Sequence, residues 1–457
     1  MMKLLQSKWF NDYGAVLVLL LLFGYFSVAT WTVVHPVSEG AAEDLGDRII
    51  ASNPKAGVFI VVRDNDEEIA FAASLKEKLE EGGCSVLGSL VYKAPSDIVA
   101  KLREFGESNA TVDFVAATHE AAANNVLRPP PGKEKPGQLP DLAKRYPTLA
   151  KAVVIEPDSY QWTRFLTQDN IFKIANHISY TAIIAIGMTM VIITAGIDLS
   201  VGSLMAFGAV VVAWLIQHLG GGVQAGALSL ISCTLGAILA CGAFGVFSGI
   251  MVTAFRIPAF IVTLGVMMVA RGLAHIIAGI EPIKVKAASF DWLGGQSSLL
   301  GIPNPVTLMI ILFVLGHILM TRTAFGRYVY AVGGNPEAAR LSGVPVRRTL
   351  IVVYGLCGLL AGLAGVINAS LFTSGNPKFG VGEELTVIAA VVVGGTSLAG
   401  GEGRILGTLI GALIIAVIYS GMNQTGVGEH GQKVVFGLLI IGAVLLDVLK
   451  KRGAKAA

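Results

Sequence analysis

The chemistry available to this chain of 457 residues rests on a few charged and helix-breaking residues set in apolar surroundings. The stretch AGIDLSVGSL (195–204) carries Asp198, and no other Asp, Glu, Lys or Arg occurs between Lys173 and Arg256. A carboxylate at mid-bilayer costs about 2.5–3.5 kcal/mol on insertion scales, so such an acid usually faces a cavity or carries function. Here Gly196, Asp198, Ser200, Gly202 and Ser203 bunch between two apolar runs, which describes a helix-breaking turn and a new helix start. Asp198 or Ser200 is then expected to cap the orphan amides of the following helix. By span count the turn lies at the cytoplasmic end of a hairpin; the competing reading is a direct substrate or gating contact.

A second stretch, VGGNPEAARLSGVPVRR (332–348), encodes a short helix. Asn335 is placed as N-cap, Pro336 at the first helical position, Glu337 near the positive end of the dipole, and Gly343 and Pro345 at the stop. A helix of about two turns is marginal in water, so either its own protein or a partner must hold it. The small residues Ala338, Ala339, Ser342 and Gly343 let another surface come close. A third stretch, GGTSLAGGEGR (394–404), repeats the logic of the first: an apolar run breaks at Gly394 and Gly395 with Thr396 and Ser397, and a new one follows Glu402 and Arg404. Two similar span-turn-span units are implied, with the glycines serving close helix approach. Asn176, Thr263, Arg271, His275 and Asn368 are further polar residues in or near apolar runs; Arg271 must find a partner or an aqueous surface, and Arg271 and Asn368 are candidates for a pathway.

Composition says what must position these residues. With 54% hydrophobic and 14% charged residues and a mean hydropathy of +0.69, the chain is too apolar for a soluble protein of its length and is read as a membrane protein. Of 34 Lys+Arg and 31 Asp+Glu, 15 and 21 fall within 36–169, so an acidic segment sits in a basic membrane body. Cys84, Cys233, Cys241 and Cys357 show no metal-ligand spacing, and no Gly-x-x-x-x-Gly-Lys-Ser/Thr run occurs. Neither metal nor cofactor is expected, nor nucleic acid as a partner, and any ATP-driven step needs another subunit.

Ten apolar stretches of spanning character are read, at about 14–34, 173–195, 201–218, 224–250, 258–280, 305–320, 350–371, 385–399, 404–421 and 433–449. The first is read as a retained anchor, although Ser27-Val28-Ala29 resembles a cleavage site. Arg322, Arg327, Arg340, Arg347 and Arg348 place the loop 321–349 in the cytoplasm, Lys450, Lys451 and Arg452 do the same for the C-terminus, and Lys3 and Lys8 for the N-terminus. The segment 36–169 then lies outside. It reads as alternating strands and helices: AGVFIVV (56–62), DEEIAFAASLKEKLEEGG (66–83), CSVLGSLVY (84–92), PSDIVAKLREFG (95–106), TVDFVAAT (111–118), HEAAANNVL (119–127) and AKAVVIEP (150–157), with RPPPGKEKPGQLP (128–140) as a surface loop. That order implies a parallel sheet. The expected fold is an all-α polytopic membrane protein interrupted by an extracytoplasmic α/β domain, divided as 1–35, 36–169 and 170–452.

The motifs GIDLSVGS, GRYVYAVGGNPEAARLSGVPV and VVVGGTSLAGGEGRILGTLIGA resemble those of the membrane-spanning permease subunits of ribose/xylose-type ATP-binding-cassette sugar importers, in the same order and over about two-thirds of the chain. The resemblance implies that Glu337, Ala338, Ala339 and Gly343, capped by Asn335, form a coupling helix docking on a cytoplasmic ATPase. It implies a second permease chain, a sugar-binding protein outside the inner membrane, and no enzymatic activity in the chain itself. The segment 36–169 departs from the family, whose members join these spans by a short loop. Its opening, GVFIVVRDNDEEIAFAASLKEKLEEGGCSV, is similar to the N-terminal lobe of periplasmic sugar-binding proteins, and one lobe cannot enclose a sugar alone. Docking a binding protein, completing a site with another chain, and a purely structural module all remain open, and Asp64, Asn65 and Asp66 are either ligand groups or a capped helix start. Against the importer stand an ion-coupled secondary transporter, which needs paired midplane charges, and a membrane sensor using the insertion as receptor.

Overall fold

The computed structural model describes residues 8–128, 138–279, 281–287, 289–295, 298–299 and 301–456. The chain divides into two compact units, one formed by Met1–Thr30 with Arg164–Ala457 and the other by Trp31–Thr163. The second unit is thus bounded at 31 and 163.

Among the described residues of the first unit, seven helices are long and apolar enough to cross a bilayer. They are α7 (Gln168–Ile193), α8 (Val201–His218), α9 (Ala227–Ala254), α10 (Ala259–Ala278), α11 (Asn304–Arg322), α14 (Val346–Leu371) and α16 (Ile405–Gln424). Around them lie α1 (Lys8–Ala29), the short α12 (Ala324–Gly334), α13 (Pro336–Leu341) and α15 (Glu383–Val393), and the terminal α17 (Glu429–Ala456). Three of the ten expected spans, 14–34, 385–399 and 433–449, are not among these seven; the last falls within α17. The stretch 385–399 forms an 11-residue helix, about 16 Å at 1.5 Å per residue, half of what a bilayer core of about 30 Å requires. Glycines at 394 and 395 stop it, Gly395 adopting φ +92°. The first helix ends at Ala29 and not at 34, because Trp31–Val34 is extended and paired with Tyr160–Thr163.

The core of this unit is built on small residues. α9 packs along α14 with Gly245 directly against the Tyr354 carbonyl, and a methyl group at Gly358 would stand 2.6 Å from the Cys241 carbonyl oxygen. Helices this close gain dispersion contacts along the whole backbone, the contribution that replaces a hydrophobic driving force between helices in lipid. α7 and α14 share the buried centre with Ile183, Val191, Tyr354 and Cys357, while α10 and α11 turn side chains such as Met268, Ile276 and Val314 outward.

The second unit holds a four-stranded parallel sheet in the order β3-β2-β4-β5, formed by β2 (Gly57–Arg63), β3 (Ser85–Tyr92), β4 (Phe114–Ala117) and β5 (Val153–Ile155). β2 lies in the middle and is buried on both faces, as the unbroken run GVFIVV requires. One face packs on α2 (Glu39–Ser52) and α3 (Asp66–Glu81) through Leu45, Ile49, Phe71 and Leu75. The other carries α4 (Pro95–Glu107), α5 (His119–Ala122) and α6 (Gln138–Arg145) over Phe59, Val61, Ile98 and Leu102. α2 and α6 are not among the expected elements, and α5 is far shorter than HEAAANNVL suggests. Within the expected loop 128–140, residues 129–137 lie outside the described residues and Gln138 already opens α6. A separate ribbon pairs β1 (Trp31–Val34) with β6 (Tyr160–Thr163).

Candidate functional site

The break between α7 and α8 is ordered by short side chains. Ala195 takes φ +60°, and the chain then runs extended past α10, where Leu199 N–H donates to Thr263 Oγ1 (3.1 Å). Asp198 is fully buried. Its Oδ1 accepts from the Ser200 amide (2.8 Å) and the Ser200 hydroxyl (2.6 Å), and the Cys357 thiol and Tyr354 ring of α14 are its other polar neighbours. The geometry corrects the expectation of a cap: Ser200 occupies the N-cap position of α8 but makes no side-chain cap bond, and Asp198 closes the turn on Ser200 instead. Asp198 lies under α14, beside Cys357.

The 394–404 segment folds back in a similar way. Ser397 N–H donates to the Glu402 carbonyl (3.1 Å) and Gly400 N–H to the Ser397 carbonyl (3.1 Å), while Gly400 and Gly401 adopt φ +84° and +77°. Thr396 and Ser397 are buried. The two breaks meet: Gly401 N–H donates to the Ile193 carbonyl at 2.8 Å, and a methyl at Gly400 would lie 2.8 Å from Ala195 Cβ. α12 closes on the same point. Gly333 abuts the Ile193 carbonyl with no space for a side chain, and the Tyr330 hydroxyl donates to the Gly403 carbonyl (2.8 Å). Gly334, one residue on, has open space around it. The sequence assigns no role to Gly333; its place at the contact between three motifs is visible only once the chain has folded.

From this junction the chain passes directly to α13. Asn335 Oδ1 accepts from the Glu337 and Ala338 amides, both at 3.0 Å, Pro336 opens the helix, and Gly343 ends it at φ +84°. Glu337 and Arg340 pair at 3.1 Å across the exposed surface, a contact worth little by itself. Ala339 is buried, so the inward and outward faces are distinct. Asn335, Glu337, Ala338 and Gly343 are exposed, and Leu341 is 80% exposed at the end of a capped helix.

Arg271 on α10 is held by its own chain. Its guanidinium donates to the carbonyls of Pro377 (2.7 Å), Phe379 (2.6 Å) and Gly380 (3.4 Å), and Glu384 of α15 supplies a nearby negative charge. Gly380 rests on the backbone of Gly202 in the first turn of α8. Arg271 therefore ties α10 to the loop between α14 and α15, which rests on the first turn of α8. Asn368 is buried on α14, and its Oδ1 has no hydrogen-bond partner among the described residues, as is also true of Asn176 Oδ1. His275 is exposed and Thr263 is spent on the break. The acids missed from sequence are Glu383, which accepts from the Thr181 hydroxyl, and Glu384. The signal was the pair itself, two adjacent acids opening the apolar run LTVIAAVVV.

In the second unit a cleft of about 480 Å³ lies at the C-terminal end of β2, lined by His35, Arg63, Asn65, Glu68, His119 and Glu120 among others. Several of its charged groups are engaged with one another. Glu68 accepts from the Arg63 amide (2.8 Å), Arg63 Nε (2.7 Å), Asn65 Nδ2 (3.0 Å) and the Thr118 hydroxyl (2.7 Å), and Arg63 also pairs with Glu120. Glu156 holds His119 (2.8 Å) and Arg128 (2.5 Å). Asn65 is the N-cap of α3, accepting from the Glu68 amide at 2.9 Å, Asp66 is its first residue, and Asp64 pairs with Lys93 at 3.4 Å. Burial opposes ionisation of Glu68, but the Arg63 amide and the Thr118, Arg63 and Asn65 side chains outweigh it and hold the carboxyl below its ordinary range.

With the geometry in place, comparison with known proteins becomes informative. The family described as "Branched-chain amino acid transport system / permease component" matches residues 170–444, the membrane body without the inserted unit. The chain is 43% identical to the ribose import permease protein RbsC of Escherichia coli over 68% of its own length and 95% of that relative. It is 39% identical to the L-arabinose ABC transporter permease protein AraH of Azospirillum brasilense, over 64% and 84%, and 38% identical to the D-allose transport system permease protein AlsC of Escherichia coli, over 62% and 85%. No solved structure matches. The chain belongs to the permease family of sugar ATP-binding-cassette transporters and is a multi-pass membrane protein.

Three outcomes follow from this geometry. Asp198→Asn keeps the Oδ1 acceptor and should hold the thermal unfolding midpoint of the purified chain, whereas Asp198→Ala strands the Ser200 amide and should cost about 1–3 kcal/mol. Gly333→Ala drives a methyl into the Ile193 carbonyl and should destabilise by about 1–3 kcal/mol, while Gly334→Ala leaves the midpoint unchanged. A carboxyl held low in the fold contributes stability that is present above its unfolded pKa, ordinarily 4.5 here, and is lost as pH falls through the folded value. Hydrogen exchange over 57–63 and 85–92 in the full chain should therefore accelerate on acidification below that value, and Glu68→Gln should flatten the response.

Proposed function

We propose that this chain is the membrane-spanning subunit of an ATP-driven importer for a monosaccharide, a pentose or a hexose, in the bacterial inner membrane. Both termini and the loop 321–349 face the cytoplasm, where α13 docks on a separate ATP-binding-cassette ATPase, and a second permease chain completes the translocation path. The observation that carries the coupling role is the pairing of an outward Leu341, 80% exposed, with a helix of six residues whose root, Gly333, is wedged between the two helix breaks. A helix that short holds its shape through Asn335 and its root, leaving its outer face to a partner. Motion imposed on α13 reaches Ile193 and Gly401 through a few backbone contacts. The relatives' names, ribose, arabinose and allose, support the sugar class.

The inserted unit lies on the outer side and serves to receive or orient a sugar-binding protein. Support comes from its cleft, where Arg63 is paired with Glu68 and Glu120 and His119 with Glu156, which leaves fewer groups to hold a sugar.

Purification of the chain with its ATPase tests the reading. A stable complex is expected, with hydrolysis that rises on adding sugar-loaded binding protein. Gly343→Val, β-branched at a φ of +84°, together with Glu337→Ala, should weaken assembly by about tenfold, equivalent to about 1.4 kcal/mol. Transport that persists without any ATPase and tracks the proton gradient would replace this reading with an ion-coupled secondary transporter.

A further inference from the structure

The two passages into and out of the inserted unit are not independent linkers. β1 and β6 pair antiparallel, with Trp31 opposite Thr163, Thr32 opposite Trp162 and Val34 opposite Tyr160, as a sheet of two strands apart from the four-stranded one. Two-stranded ribbons alone are marginal in water. This one nevertheless leaves Trp31 55%, Val33 46%, Tyr160 50% and Trp162 45% exposed. Because alternate residues point to opposite faces, Trp31 and Val33 lie on one face and Tyr160 and Trp162 on the other, so both faces present apolar rings. Their polar tips are partly occupied: Trp31 Nε1 donates to Gln161 Oε1 at 3.3 Å.

Chain continuity says what meets these rings. Trp31 follows the apolar α1 by two residues, since α1 ends at Ala29, and Thr163 lies seven residues before Asn170, where the first long apolar span begins. The helical residues on either side, Tyr25, Val28 and Ile171, are also exposed. Trp and Tyr join an apolar body to a polar tip and collect where hydrocarbon gives way to water, at the ends of membrane helices. No charged residue occurs in either strand, so a zwitterionic surface is sufficient.

We propose that the β1–β6 ribbon is a lipid-binding element: Trp31, Tyr160 and Trp162 lie in the headgroup and glycerol layer of the bilayer, and the inserted unit is carried on paired, lipid-anchored strands in place of two free tethers. Being uncharged, the anchor is insensitive to salt and to the anionic lipid content. The inference does not rest on the transport reading.

The test uses the full chain in lipid nanodiscs with Trp9, Trp214 and Trp292 replaced by Phe, leaving Trp31 and Trp162 as the emitters. Nitroxide lipids labelled on the headgroup should quench most strongly, lipids labelled near the acyl-chain end less, and aqueous iodide should lose most of the quenching it exerts on free tryptophan. Full iodide quenching with no effect of either nitroxide overturns the proposal. So does shielding that develops only when a sugar-binding protein is added, which would make the ribbon a protein interface. Should the triple variant fail to fold, the unsubstituted chain in nanodiscs containing a headgroup-level photocrosslinking lipid decides: adducts on Trp31–Val34 and Tyr160–Thr163 support it, and adducts confined to Gly14–Ala29 overturn it.

Discussion

Wherever a helix stops inside a membrane protein, the amides and carbonyls it frees must be bonded by the protein itself, because lipid offers no partner. That constraint organises the membrane body of this chain. The Ile193 carbonyl at the end of α7 is met by the Gly401 amide from the other break. The carbonyls of Pro377, Phe379 and Gly380 are met by one guanidinium, Arg271. Asp198 answers the Ser200 amide, and Thr263 answers that of Leu199. All but the Asp198–Ser200 turn join elements distant in sequence, so the breaks also serve as joints.

The joints are made of backbone, and backbone contacts at glycine leave no side chain to yield. Gly333 against Ile193, Gly400 against Ala195 and Gly380 against Gly202 transmit displacement more directly than flexible side chains would. The short exposed helix α13 and the two helix breaks therefore meet at the same end of α12, at Gly333. The same economy appears between α9 and α14, where glycines bring the helices to backbone distance.

The inserted unit obeys different rules. Its parallel sheet is covered by helices on both faces and has its own cores, and the family match begins beyond it at residue 170. An α/β module has been placed between two membrane helices at a point where the entering and leaving chains can pair, and the ribbon that results closes the insertion at its root.

Much of this was legible in the sequence. The apolar runs, the strand and helix alternation of 56–106, the Asn335 cap and the Gly343 stop depend on local chemistry and survive folding nearly unchanged. The three motifs were visible as breaks for the same reason, since glycine and small polar residues interrupt helices wherever they fall. What the breaks do was not visible. Asp198 reads as a cap because caps are local, yet it closes its own turn beneath α14; nothing near Arg271 in sequence can bond it, and its partners lie more than a hundred residues away. The helix at 385–399 reads as a span because apolarity persists past its end, whereas the glycines there turn the chain back to meet Ile193. Sequence determines where a helix can form and where it must stop; only tertiary structure decides which distant backbone satisfies the groups set free, because that choice depends on which surfaces packing brings together.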